Sequence, residues 1–108
     1  MSRARAKSTR SENERADYYR RWFPNAARVP GGQASMDIVG CPFPIEDKST
    51  AAPRFIEWFK HYNSRHGNRW VLHWHGDRRT FSGTFVLMPE EMLAELLDRA
   101  YTVPVEAS

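Results

Sequence analysis

The chain has 108 residues, room for one domain and not for two. Hydrophobic residues make up 41 % and aromatics 13 %, enough apolar surface to offset chain entropy, which excludes a fully disordered chain. Sixteen Lys and Arg against thirteen Asp and Glu give a net charge of +3, no apolar run approaches the roughly 18 residues that span a bilayer, and the single Cys41 excludes an intramolecular disulfide or a cysteine zinc cluster. A cytoplasmic protein outside any membrane is expected.

Residues 1–11 carry Arg3, Arg5, Lys7 and Arg10 with no acid, and read as a flexible basic arm that can meet phosphates. Ser11, with Glu14 at capping-box spacing, is the expected N-cap of a helix over 12–22, which ends before Pro24. A short extended segment over 26–30 leads to Gly31, Gly32 and Gln33, a turn whose backbone N–H groups can cradle a phosphate. Two strands follow, 36–39 and 43–49, broken by Gly40 and limited at Pro42 and Pro44. A second helix is expected from Pro53, with Phe55, Ile56, Phe59 and Tyr62 as its apolar stripe and Gly67 as its C-cap. Strands over 69–74 and 80–88 come next, and Glu90 and Glu91 open a last helix whose face is Met92, Leu93, Leu96, Leu97 and Ala100. The order α-β-β-β-α-β-β-α predicts an α/β (α+β mixed) fold over 12–101, a central mixed sheet flanked by helices, with 102–108 as a flexible tail.

The chemistry concentrates in 36–50, MDIVGCPFPIEDKST. Side chains two apart on a strand share a face, so Glu46 and Lys48 point the same way, and a hairpin brings Asp37 beside them. Two hard carboxylates hold Mg²⁺ or Mn²⁺, the cation clamps a phosphate oxygen, and a neighbouring lysine orients the attacking water. That chemistry is phosphodiester hydrolysis. Arg28 and Arg54 are further candidate phosphate contacts, beside the arm and the glycine turn.

Asp37 followed by Glu46, Asp47 and Lys48 resembles the PD-(D/E)XK signature of restriction-endonuclease-like nucleases. A helix bearing ENERADYYR, then VPGG, DIVG, IEDKST and a second helix is similar to the order in archaeal Holliday-junction resolvases and in small resolvase-like nucleases of phages and actinobacteria. The resemblance covers most of 12–88 and implies a homodimeric, Mg²⁺- or Mn²⁺-dependent endodeoxyribonuclease acting on branched DNA. It implies Asp37, Glu46, the backbone carbonyl of Asp47 and Glu12 as metal ligands, and Lys48 as the residue that positions water. Glu12 is chosen over Glu14 because it shares the helix face of Ala16, Tyr19 and Phe23. One departure is Asp47, where the family carries an apolar residue; either that face is open, or a base such as Arg54 reaches it, or the strand register differs. The departure keeps open a second reading, a catalytically inactive nuclease-fold protein that binds nucleic acid or a host protein.

Other residues read as structure. His73 and His75 alternate on a strand with no third ligand near in sequence, and His61 and His66 are expected on a helix elsewhere. Trp58, Trp70 and Trp74 sit at core spacing, and nothing near Cys41 supplies a base for nucleophilic chemistry.

Overall fold

A computed structural model describes residues 3–29, 36–76 and 83–102, residues 3–8 through their helical backbone. Helix α1 is Arg3–Tyr19; strands β1 (Ala27–Arg28), β2 (Ile38–Val39) and β3 (Ile45–Ser49) follow, then α2 (Phe55–His66), β4 (Val71–His75), β5 (Thr84–Leu87) and α3 (Glu90–Tyr101). The strands form one sheet in the order β1-β2-β3-β4-β5. Neighbours are antiparallel except β3 and β4, which run parallel with Ile45 opposite Val71 and Ser49 opposite His75. A parallel pair needs a crossover, and α2 is that connection. The expected mixed α/β architecture and element order are therefore observed.

Strand alternation divides the core in two. On the α1 face, Ala16 and Tyr19 pack on Ile38, Phe43, Ile45 and Val71, with Met92 of α3 completing the cluster. On the opposite face, Trp58 and Tyr62 of α2 cover Trp70, Leu72 and Trp74. The three tryptophans placed in the core by their spacing lie there. Full burial of side chains of this size stabilises by roughly 1.5–3 kcal/mol each relative to exposure.

Gly40 links β2 to the segment before β3 with φ of 86°, and a Cβ there would lie 2.2 Å from the carbonyl oxygen of Asn25. Only glycine combines that backbone angle with so close an approach, which fixes the entry to β1 against the turn after β2. Gly67, with φ of 68°, donates its N–H to the Asn63 carbonyl at 2.9 Å and ends α2 where expected.

The helices differ from expectation in three ways. Helix α1 begins at Arg3, not after Ser11, so residues 3–11 are helical rather than a flexible arm, and Ser11 is a buried residue inside the helix instead of its cap. The run RARAKSTR holds strong helix formers and no breaker, which allows the helix to extend upstream of the capping-box spacing. Helix α2 starts at Phe55 and leaves Pro53 outside; Ile56 is 71 % exposed and Phe59 is at the surface, because the buried stripe runs through Trp58 and Tyr62. On α3, Met92 is buried and Leu96 packs on the core, whereas Leu93, Leu97 and Ala100 face outward. The glycine turn of Gly31, Gly32 and Gln33, residues 103–108 of the expected tail, and the side chains of Arg3, Arg5 and Lys7 lie outside the described residues.

Candidate functional site

Asp37 stands just before β2, where its N–H donates to the Ile45 carbonyl, so its side chain comes level with Glu46 across the antiparallel pair. One carboxylate oxygen of Asp37 accepts the backbone N–H of Asp47 at 2.8 Å. The carboxyl groups of Asp37 and Glu46 are close enough for each to act on the ionisation of the other. Neighbouring carboxyls resist ionising together unless a cation lies between them. Burial first, and the Asp37 charge second, push Glu46 up to about 8; burial likewise raises Asp37.

Glu46 has a second partner. Its Oε2 lies 2.8 Å from Nε2 of His66, on the last turn of α2, a residue expected elsewhere. No local sequence signal marks this contact, since it depends on how the crossover helix returns over β3. Burial lowers the His66 pKa as it raises that of Glu46, so both partners of this contact are held toward their neutral forms. Lys48 lies on the Glu46 face of β3, with Nζ 5.8 Å from the Tyr62 ring centre and close enough to Asp37 and Glu46 to act on both charges.

A cavity of about 290 Å³ opens beside this cluster, lined by Glu12, Asp37, Asp47, Lys48, Ser49 and Thr50 together with Ser11. Glu46 is not on its wall and is 2 % exposed. Glu12 reaches the cavity from α1, whereas Glu14 points to solvent, as the helix face of Ala16 and Tyr19 requires. Burial and the Asp37 charge raise the Glu12 pKa, and Arg28 opposes them from 3.9 Å. Two buried donors make no hydrogen bond among the described residues: Nε of Arg28, which is ion-paired with Glu12 at that 3.9 Å, and Oγ of Ser49 on the cavity wall. Arg10 is exposed on α1, and Arg54 is exposed before α2 and paired with Glu57.

Asp47 points to the other face, as alternation demands, and its side chain is 1 % exposed. Its partner is not Arg54. Arg15 of α1 meets Oδ1 at 3.2 Å, Ser11 donates its hydroxyl to Oδ2, and Nε2 of His75 lies 2.6 Å from the Ser11 oxygen. Next to this group Nε2 of His73 meets the Tyr19 hydroxyl at 2.6 Å, and burial holds His73 down to about 3. The two histidines thus serve the packing of α1 on the sheet. A polar residue is accommodated at position 47 because α1 brings its own polar partners.

The donor set suits a hard divalent cation: the neighbouring carboxyls of Asp37 and Glu46, that of Glu12 on the cavity wall, and a Glu46 proton that a cation would replace. As they stand, no three His, Cys, Asp or Glu side chains among the described residues form a ready metal cluster. No described helix is long and apolar enough to cross a membrane. The chain matches no protein-family model, no curated protein and no solved structure.

Proposed function

We propose that the chain is a metal-dependent endodeoxyribonuclease that hydrolyses phosphodiester bonds in branched DNA, as Holliday-junction resolvases do, and acts as a homodimer. The observation that carries this reading is that the start of β2 sets Asp37 level with Glu46 of β3, with Lys48 two positions along from Glu46 on the same face. Asp37, Glu46, Glu12 and the backbone carbonyl of Asp47 are the groups that would hold Mg²⁺ or Mn²⁺. When bound, the ion supplies Lewis-acid polarisation of a phosphate oxygen and acidifies a water.

The remaining work falls to the chain itself. Glu46 would serve as a ligand in its carboxylate form, and His66 would hold it in place through Oε2. Lys48, on the cavity wall beside Asp37, orients the attacking water and offsets charge that develops on the phosphate. Ser49, on the cavity wall with no hydrogen-bond partner for its hydroxyl among the described residues, would turn that group to a phosphate oxygen, and Arg28, paired with Glu12 at 3.9 Å, adds positive charge behind it. Attack in line leaves a 5′-phosphate.

The test is cleavage of a labelled four-way junction and a matched linear duplex with Mg²⁺, Mn²⁺ or EDTA. Metal-dependent cutting of the junction is expected, lowered about 100-fold or more in Asp37→Asn and Lys48→Ala. Cutting of both substrates would retain the nuclease and remove its preference for branches. A second reading, an inactive relative that binds nucleic acid or a host protein, is favoured by one observation: Glu46 is sealed from the cavity and already held by His66. No cleavage by any form, with binding that survives both substitutions, would select it.

A further inference from the structure

Beyond the carboxylate cavity, the end of α1 and the turn after it carry a second feature that the hydrolytic reading does not use. Tyr18 is 46 % and Trp22 52 % exposed, and their rings meet edge to face at 5.3 Å. Neither belongs to the buried core clusters, yet both line an apolar cavity of about 630 Å³ between the end of α1, the sheet and α3. The volume falls within the range of sites for small organic ligands, with room for a nucleobase and its sugar. On its floor Tyr19 and His73 hold one another, and polar edges are few.

Guanidinium groups frame this aromatic patch. Arg15 lies over the Tyr18 ring at 5.2 Å and Arg21 over Trp22 at 5.1 Å, and Arg99 lines the far wall. Arg15 is committed to Asp47 and Arg99 to Glu95, but Arg21 makes no ion pair among the described residues. Asp17, the acid nearest in the chain, is paired with Arg20. An exposed apolar patch of this kind calls for an occupant, and a cationic rim around exposed aromatic rings fits a flat aromatic group on an anionic backbone better than an apolar protein surface.

The two cavities lie along one helix. From Glu12 to Tyr18 is about 9 Å at the rise of an α-helix, and Trp22 follows in the turn after α1. A strand with a phosphate at the Asp37 cavity covers that distance within about four nucleotides, even fully stacked. We infer that Tyr18 and Trp22, with Arg15 and Arg21 above them, form a stacking site for an unpaired nucleobase a few nucleotides from the phosphate at the carboxylate cavity. This inference rests on the nuclease reading and supplies a recognition element for it: unpaired or splayed bases, such as occur at a branch point, would be preferred over continuous duplex.

The experiment uses a single-stranded oligodeoxynucleotide carrying one 2-aminopurine, titrated with the full chain in EDTA, alongside junction cleavage with Mn²⁺. Stacking is expected to quench the probe in the wild type and in Asp37→Asn. Trp22→Ala and Tyr18→Ala should abolish quenching and weaken binding about tenfold, and Trp22→Phe should restore most of both. Arg21→Ala, at an exposed position outside the buried core, should weaken binding severalfold and guards against a folding defect in the aromatic variants. If the wild type cuts the junction while all four platform variants quench and bind like it, the stacking site is wrong and the nuclease reading stands. If Trp22→Ala turns a dimer into a monomer with quenching unchanged, the patch is a contact between copies and the inference is overturned. If the wild type neither cuts nor binds any DNA, both readings fall.

Discussion

Glu46 carries a proton at neutral pH because burial, and then the charge of Asp37, hold it at about 8 against an ordinary 4.5. Between those values the native chain binds a proton that the unfolded chain releases, so this residue's contribution to stability is complete below about 4.5 and is lost as pH rises through about 8. Asp37 and Glu12, also raised by burial, act in the same direction. His73 acts in the other: it stays neutral down to about 3 where the unfolded ring protonates near 6.5, so its contribution is complete above 6.5 and lost as pH falls toward 3. The stability optimum is therefore expected on the acid side of neutrality, with an alkaline decline of up to about 1.4 kcal/mol per pH unit from Glu46. Urea midpoints in EDTA, taken from about pH 4 to about pH 9, measure it. Glu46→Gln should flatten the alkaline limb; an unchanged limb would mean that the native carboxyl ionises like an exposed one.

The seating of α1 on β3 turns on Arg15 and Asp47, whose 3.2 Å contact is almost closed to water. Removing one member of such a pair leaves an uncompensated buried charge and costs about 3–5 kcal/mol, whereas replacing both by apolar groups is often neutral. Arg15→Met should therefore destabilise the chain by about 3 kcal/mol, and the double variant with Asp47→Leu should recover most of the loss. Denaturant unfolding of the two singles and the double closes the cycle; additive losses would show that the pair does not anchor the helix. What the sequence disclosed and what it hid meet at this point. Strand alternation was enough to put Glu46 and Lys48 on one face and Asp47 on the other, and helical periodicity was enough to turn Glu12 inward and Glu14 outward. The partner of Asp47 was not legible, because Arg15 comes from a helix whose docking angle no local pattern records. His66 was hidden for the same reason. Ser11 misled because its capping-box spacing is a local signal, and local signals yield when a helix-forming run precedes them and the hydroxyl finds a buried carboxylate.

The whole molecule is electrically lopsided. Arg3, Arg5, Lys7 and Arg10 fall on the first turns of α1, leading to the carboxylate cavity, while Glu90, Glu91, Glu95 and Asp98 fall on α3. On the proposed reading a polyanion approaches along α1, and the acids of α3 keep its backbone off the other end. Binding to DNA should then weaken steeply with salt, each neutralised phosphate contributing about −0.9 to the slope of log affinity against log salt. Arg10 is exposed and adjoins Ser11 on the cavity wall, so Arg10→Ala should lower the magnitude of that slope by about one, whereas Glu90→Gln, exposed at the start of α3, should leave it unchanged. Fluorescence anisotropy of a labelled junction across a salt series, in EDTA, reads both slopes. Equal slopes for Arg10→Ala and the wild type would remove α1 from the DNA path. A shift caused by Glu90→Gln would instead bring α3 against the phosphates, and the orientation deduced from the charge distribution would have to be reversed.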